Sequence, residues 1–137
     1  MTDDVWSVIK EEVRLRIQAE PTLEPYLNLL VLSQDSLVSA IASIISSKLN
    51  SDALSSKDIK NFILDVYKNC DGIAESLEED LIFFKDNDPA CKYYSTPILF
   101  YKGFQGLAAY RAANCLWKND RHTCLLYTSD AADESRG

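Results

Sequence analysis

Cysteine, histidine and carboxylates carry most nucleophilic and metal chemistry, so their number and spacing set the first limits. The chain has one histidine, His122, and four cysteines, Cys70, Cys91, Cys115 and Cys124, widely spaced and without a C-x-x-C pair. That set lacks the ligand spacing of a zinc site, and no metal ligand is assigned. A cysteine–histidine nucleophile pair, which needs a base beside the thiol, is the lesser alternative to plain structural thiols. The cysteines are expected to be reduced thiols of a cytosolic protein. Carboxylates fall into two groups. Glu78-Glu79-Asp80 is a charge run, expected to be a solvated helix face. Asp88 precedes Pro89 in Asp86-Asn87-Asp88-Pro89, a combination that makes turns, because a short carboxylate accepts nearby backbone N–H groups and proline fixes φ. Lys102, Tyr110 and Arg111 have the chemistry to meet an anionic ligand. On a buried helix they are expected to satisfy internal carboxylates or line a subunit contact instead.

Helices must position these groups. Thr2 is a candidate N-cap, and Val5, Trp6, Ile9, Val13 and Ile17 recur at helical spacing up to the break at Glu20-Pro21. Pro25 fits the first turn of a short apolar helix ending at Leu32. Ser36 caps the next segment, in which Leu37, Ala40, Ile41, Ile44, Ile45 and Leu49 form an apolar stripe with serines opposite. Ser55 to Asp58 resembles a capping box, followed by Ile59, Phe62, Ile63, Val66 and Tyr67 and closed by Asp71-Gly72. Ile73, Leu77, Leu81 and Phe84 line a further helix. Thr96-Pro97 starts the last one, apolar nearly all round from Ile98 to Trp117. Gly103 and Gly106 within it point to close packing, since each costs about 1 kcal/mol against alanine. The pattern predicts an all-α bundle of five to six helices, without strands or internal repeats.

The 137 residues carry a net charge of −7, with 47% hydrophobic and 26% charged residues. That composition suits one globular domain, and the charge argues against nucleic acid, which requires clustered Lys and Arg. No apolar stretch reaches the length of a membrane span. The acidic opening, Met1-Thr2-Asp3-Asp4, has neither signal-peptide nor transit-peptide character, so the expected location is cytoplasmic. Residues 123–137 differ from the rest. They resemble the translated adapter of a sequencing library, and the expected organisation is a helical domain over 1–122 followed by an artefactual, disordered tail.

One ordered set of motifs spans the second half: Asp88-Pro89-Ala90-Cys91, Tyr94-Ser95-Thr96-Pro97-Ile98-Leu99, Lys102-Gly103-Phe104, Ala109-Tyr110-Arg111 and Asn114-Cys115-Leu116-Trp117. With Trp6, Ile9, Glu20-Pro21-Thr22-Leu23, Ser36-Leu37, Ala40 and Lys48-Leu49 upstream, the chain resembles the N-terminal helical domain of serine O-acetyltransferases over residues 5–121. Asn87, Gln105, Ala108 and Asn114 depart from the residues usual in that family.

The resemblance implies an enzyme that moves the acetyl group of acetyl-CoA to the hydroxyl of L-serine, for cysteine synthesis. It places the catalytic histidine–aspartate pair and the acetyl-CoA site in a left-handed β-helix domain that this chain lacks, so no catalytic or cofactor-binding residue is assigned and the chain alone is expected to be inactive. The resemblance assigns one substrate-binding residue, Asp88, to the α-ammonium of serine. It also implies a homo-oligomer joined through the helical domain. The PLP-dependent O-acetylserine sulfhydrylase that the family binds uses a C-terminal tail missing here. The competing expectation is a stand-alone helical interaction module.

Overall fold

The structure, a computed structural model, describes residues 2–49 and 52–119. The expected tail, His122 and Cys124 all lie outside the described residues. Within them the chain is all-α: α1 (Thr2–Ala19), a 3-10 turn (Pro21–Leu23), α2 (Glu24–Leu27), a π-helical turn (Asn28–Leu32), α3 (Leu37–Leu49), α4 (Ser56–Lys68), α5 (Ile73–Asp86), α6 (Ser95–Phe100) and α7 (Lys102–Lys118). No strand occurs among the described residues. The helix at the chain start already includes Thr2, which was expected as its cap.

Local chemistry sets most of these boundaries. The Ser36 hydroxyl accepts the Ser39 N–H at 3.1 Å, and the Ser55 hydroxyl accepts the Asp58 N–H at 3.2 Å. Each satisfies one of the amide donors that a helix start leaves unpaired. Pro25 lies in the first turn of α2, where its missing N–H costs nothing. Gly72 carries the left-handed φ of +76° that turns the chain into α5.

A single buried cluster joins all seven helices, from Val5 on α1 to Leu116 on α7. Its centre is α3, and three features there and nearby correct the sequence-based picture. Ser43 and Ser46, expected opposite the apolar stripe, are buried with it. Helix α3 is thus enclosed nearly all round, and Ser46 bonds back to the Ser43 carbonyl at 2.9 Å, which lets a hydroxyl enter the core without an unpaired donor. Glu78 is only 7% exposed, and Asp80 binds Arg111 of α7 in a two-pronged ion pair, Nη2 to Oδ1 at 2.8 Å and Nε to Oδ2. Only Glu79 of the charge run is exposed, because α5 packs against both α1 and α7.

The third correction concerns the thiols. Cys70, just after α4, and Cys115 on α7 form a disulfide with their Cα atoms 6.0 Å apart. Packing of α4 on α7 brings together two residues that are 45 apart in sequence, within the Cα separation a disulfide requires. Close approach at Gly103 agrees with expectation, since a Cβ there would stand 3.2 Å from the Phe84 ring. The predicted last helix, however, is two. It begins at Ser95, two residues before Pro97, and breaks at Tyr101, whose φ of −90° and ψ of 109° are extended.

Candidate functional site

Asp88 lies in the turn that closes α5. Asn87 ends that helix, its N–H reaching the Phe83 carbonyl at 3.0 Å. The Asp88 carbonyl then accepts the Cys91 N–H at 2.9 Å, and its Oδ1 accepts the Ala90 N–H at 3.0 Å. This is the turn chemistry expected of an aspartate before proline. What the sequence pattern did not reveal is the third bond, from the Tyr101 hydroxyl to Oδ2 at 2.6 Å.

Both carboxylate oxygens therefore have one donor each. A carboxylate has room for about four, so each oxygen keeps acceptor capacity for a further donor. The Tyr101 hydroxyl, and secondarily the Ala90 N–H, hold the Asp88 carboxyl below the usual carboxylate range, because bonds to the charged form favour it. The same bond raises Tyr101 well above the usual phenol range. At neutral pH the site presents an anion with a neutral phenol behind it.

The segment that follows Asp88 is pinned from α1. Glu12 accepts the Tyr94 N–H at 3.2 Å on Oε2 and the Ser95 N–H at 2.8 Å on Oε1. A residue of another helix thus caps α6, which has no side-chain cap of its own. One turn along α1, the Arg16 guanidinium donates to Ser95 Oγ at 3.1 Å and Thr96 Oγ1 at 2.7 Å. It also lies over the rings of Tyr93 and Phe100, at 5.7 and 5.4 Å from their centres, a favourable cation–π placement. Sequence reasoning missed Glu12, Arg16 and Tyr101. The first two stand four apart on one helix, a spacing that reads as an internal ion pair.

Lys102 and Tyr110 are exposed on α7 and take no part in the bonds around Asp88. Arg111 meets an internal carboxylate, as expected. Cys91 is a buried free thiol whose Sγ donates to the Tyr93 carbonyl at 3.3 Å. Among the described residues, no group of three or more His, Cys, Asp or Glu is arranged to hold a metal ion. None of the described helices is long and apolar enough to cross a membrane.

An all-helical domain that displays one braced carboxylate on a clamped turn is the class of module defined by this geometry. The chain belongs to the serine acetyltransferase family: the profile of "Serine acetyltransferase, N-terminal" matches residues 5–109. Serine acetyltransferase 1, chloroplastic, of Arabidopsis thaliana is 37% identical over 97% of this chain and 42% of its own length. A solved serine acetyltransferase in complex with CoA superposes with a TM-score of 0.93 at 27% identity, covering 98% of this chain and 57% of that one. The soybean enzyme complexed with serine gives a TM-score of 0.87 at 32% identity, over 93% and 52%. The chain spans about two-fifths of the length of the curated relatives it matches and about half of the solved chains.

Proposed function

We propose that this domain is the N-terminal part of an enzyme that acetylates L-serine from acetyl-CoA, and that Asp88 holds the α-ammonium of the substrate. In the reaction the serine hydroxyl loses its proton as its oxygen attacks the thioester carbon, and the CoA thiolate leaves. A positioned base must take that proton. We assign the base and the acetyl-CoA cleft to the part of the relatives that this chain does not match.

The observation that carries the proposal is the doubly braced Asp88 carboxylate, ionised and with acceptor capacity to spare. An ammonium group is the complementary donor, and such charge-assisted bonds are about twice as strong as neutral ones. Solved relatives in complex with CoA and with serine support this choice of substrates. In the complete enzyme, Asp88→Ala is expected to raise the KM for serine roughly 10- to 100-fold, the range for one bond to a charged group. The KM for acetyl-CoA should stay within about twofold. An unchanged KM for serine would remove Asp88 from the site.

Self-association is part of the same proposal. Leu15, Tyr93, Leu23, Tyr26 and Phe100 are exposed around Arg16, lining two adjoining apolar depressions. Apolar surface of this kind marks an interaction face, and a second copy of the domain is the proposed occupant. Cytoplasmic placement also belongs to the proposal. The Cys70–Cys115 bond, of a kind rare in the reducing cytosol, and a relative named chloroplastic weigh against it, and imaging of the tagged full-length protein tests it.

A further inference from the structure

We infer that Tyr101 is a positioning residue for substrate binding, holding the Asp88 carboxylate in the orientation that receives the ammonium group. The inference rests on the proposed role of Asp88 and deepens it. Three observations carry it. The phenol donates to Oδ2 at 2.6 Å while the Ala90 N–H fixes Oδ1 at 3.0 Å. With both oxygens anchored, the carboxylate plane cannot rotate about the Cβ–Cγ bond without losing a hydrogen bond.

The backbone of Tyr101 is itself held from both sides. Its N–H reaches the Pro97 carbonyl at 3.1 Å, closing α6, and its carbonyl accepts the Gln105 N–H at 3.1 Å, opening α7. The Gln105 side chain donates to the Ile98 carbonyl at 2.8 Å, pairing an acceptor near the end of α6. Tyr101 is thus the hinge residue of a fixed corner rather than part of a loose loop.

The break does not fall on a helix-breaking residue. A continuous helix through the 98–117 stretch would suit the sequence, and neither Tyr101 nor its two neighbours is glycine or proline. Extended backbone at this one residue turns the phenol onto the Asp88 turn. A break placed where it orders a functional carboxylate is the arrangement that preorganisation calls for, because a polar group fixed beforehand loses less freedom on binding.

The test uses the complete enzyme with Tyr101→Phe, which removes only the hydroxyl, and Asp88→Ala, singly and combined. Tyr101→Phe is expected to raise the KM for serine about 3- to 10-fold, less than Asp88→Ala, because it loosens the carboxylate that meets the ammonium rather than removing it. The KM for acetyl-CoA and the melting temperature should be little changed. The Asp88 carboxyl, followed by carbon-13 NMR, should titrate at higher pH in Tyr101→Phe than in the parent. In the Asp88→Ala background the same substitution should have no further effect on KM, because a positioning residue acts only through the group it positions. A normal KM for serine in Tyr101→Phe, or an equal rise with and without Asp88, would overturn the positioning role. If Asp88→Ala alone leaves KM unchanged, the ammonium-binding proposal fails, and the inference with it. If Asp88→Ala raises KM and Tyr101→Phe does not, only the inference fails.

Discussion

The residues that shape this molecule differ in how openly they declare themselves. Asp88 is legible because aspartate before proline has few uses other than a turn, and because its neighbours match a family pattern. Tyr101 is not, since a tyrosine in an apolar run looks like core. Asp80 and Arg111 are an intermediate case. Arginine on an apolar helix demands a counter-charge, but only packing of α5 on α7 selects Asp80 from three adjacent acids. Their two-pronged contact is partly buried, the Asp80 side chain being 12% exposed and that of Arg111 32%. Removing one partner strands a charge that has lost much of its water. Arg111→Ala is therefore expected to cost about 2 kcal/mol, after allowance for the exposed side of the guanidinium. Urea unfolding of parent and variant measures it, and a loss under 0.5 kcal/mol would show a solvent-screened pair.

At the scale of elements, periodicity located α1 to α5, and serine hydroxyls marked the starts of α3 and α4, because apolar spacing of three and four and a capping hydroxyl are local signals. The split between α6 and α7 was not legible. It depends on the Asp88 turn, which the fold brings to Tyr101, and on a Gln105 side-chain bond across the break that periodicity does not reveal. The Cys70–Cys115 bond escaped for the same reason, as nothing in linear spacing indicates which thiols packing will bring together. Its effect on stability follows from the 45-residue separation of its ends. Closing a loop of that size restricts the unfolded chain by about 4 kcal/mol in the chain-entropy account, with typical measured values of about 2–4. Dithiothreitol, or Cys70→Ser, should lower the unfolding free energy by that range. Cys91→Ser should not respond to reductant differently from the parent. Equal stability in oxidised and reduced samples would show that the bond does not staple α4 to α7.

At the scale of the whole molecule, composition and the motif series identified the family, while the use of the surface became visible only in three dimensions. Leu15 and Tyr93 are remote in sequence yet share one face with Leu23, Tyr26 and Phe100. The domain should therefore sediment as an oligomer at micromolar concentration. Tyr26→Glu, which sets a charge in that face without touching Asp88, should shift it toward monomer. A monomeric parent would leave the face without its proposed occupant.

The central claim is the proposal that a longer protein containing this domain acetylates L-serine, with Asp88 holding the substrate. Release of CoA thiol, followed with a thiol-reactive dye in the presence of L-serine and acetyl-CoA, tests it most directly. The account predicts serine-dependent release from the product of the complete gene and none above background from the 137-residue chain. Release by the short chain would contradict the division of labour, and absence of release from the complete protein would contradict the function itself.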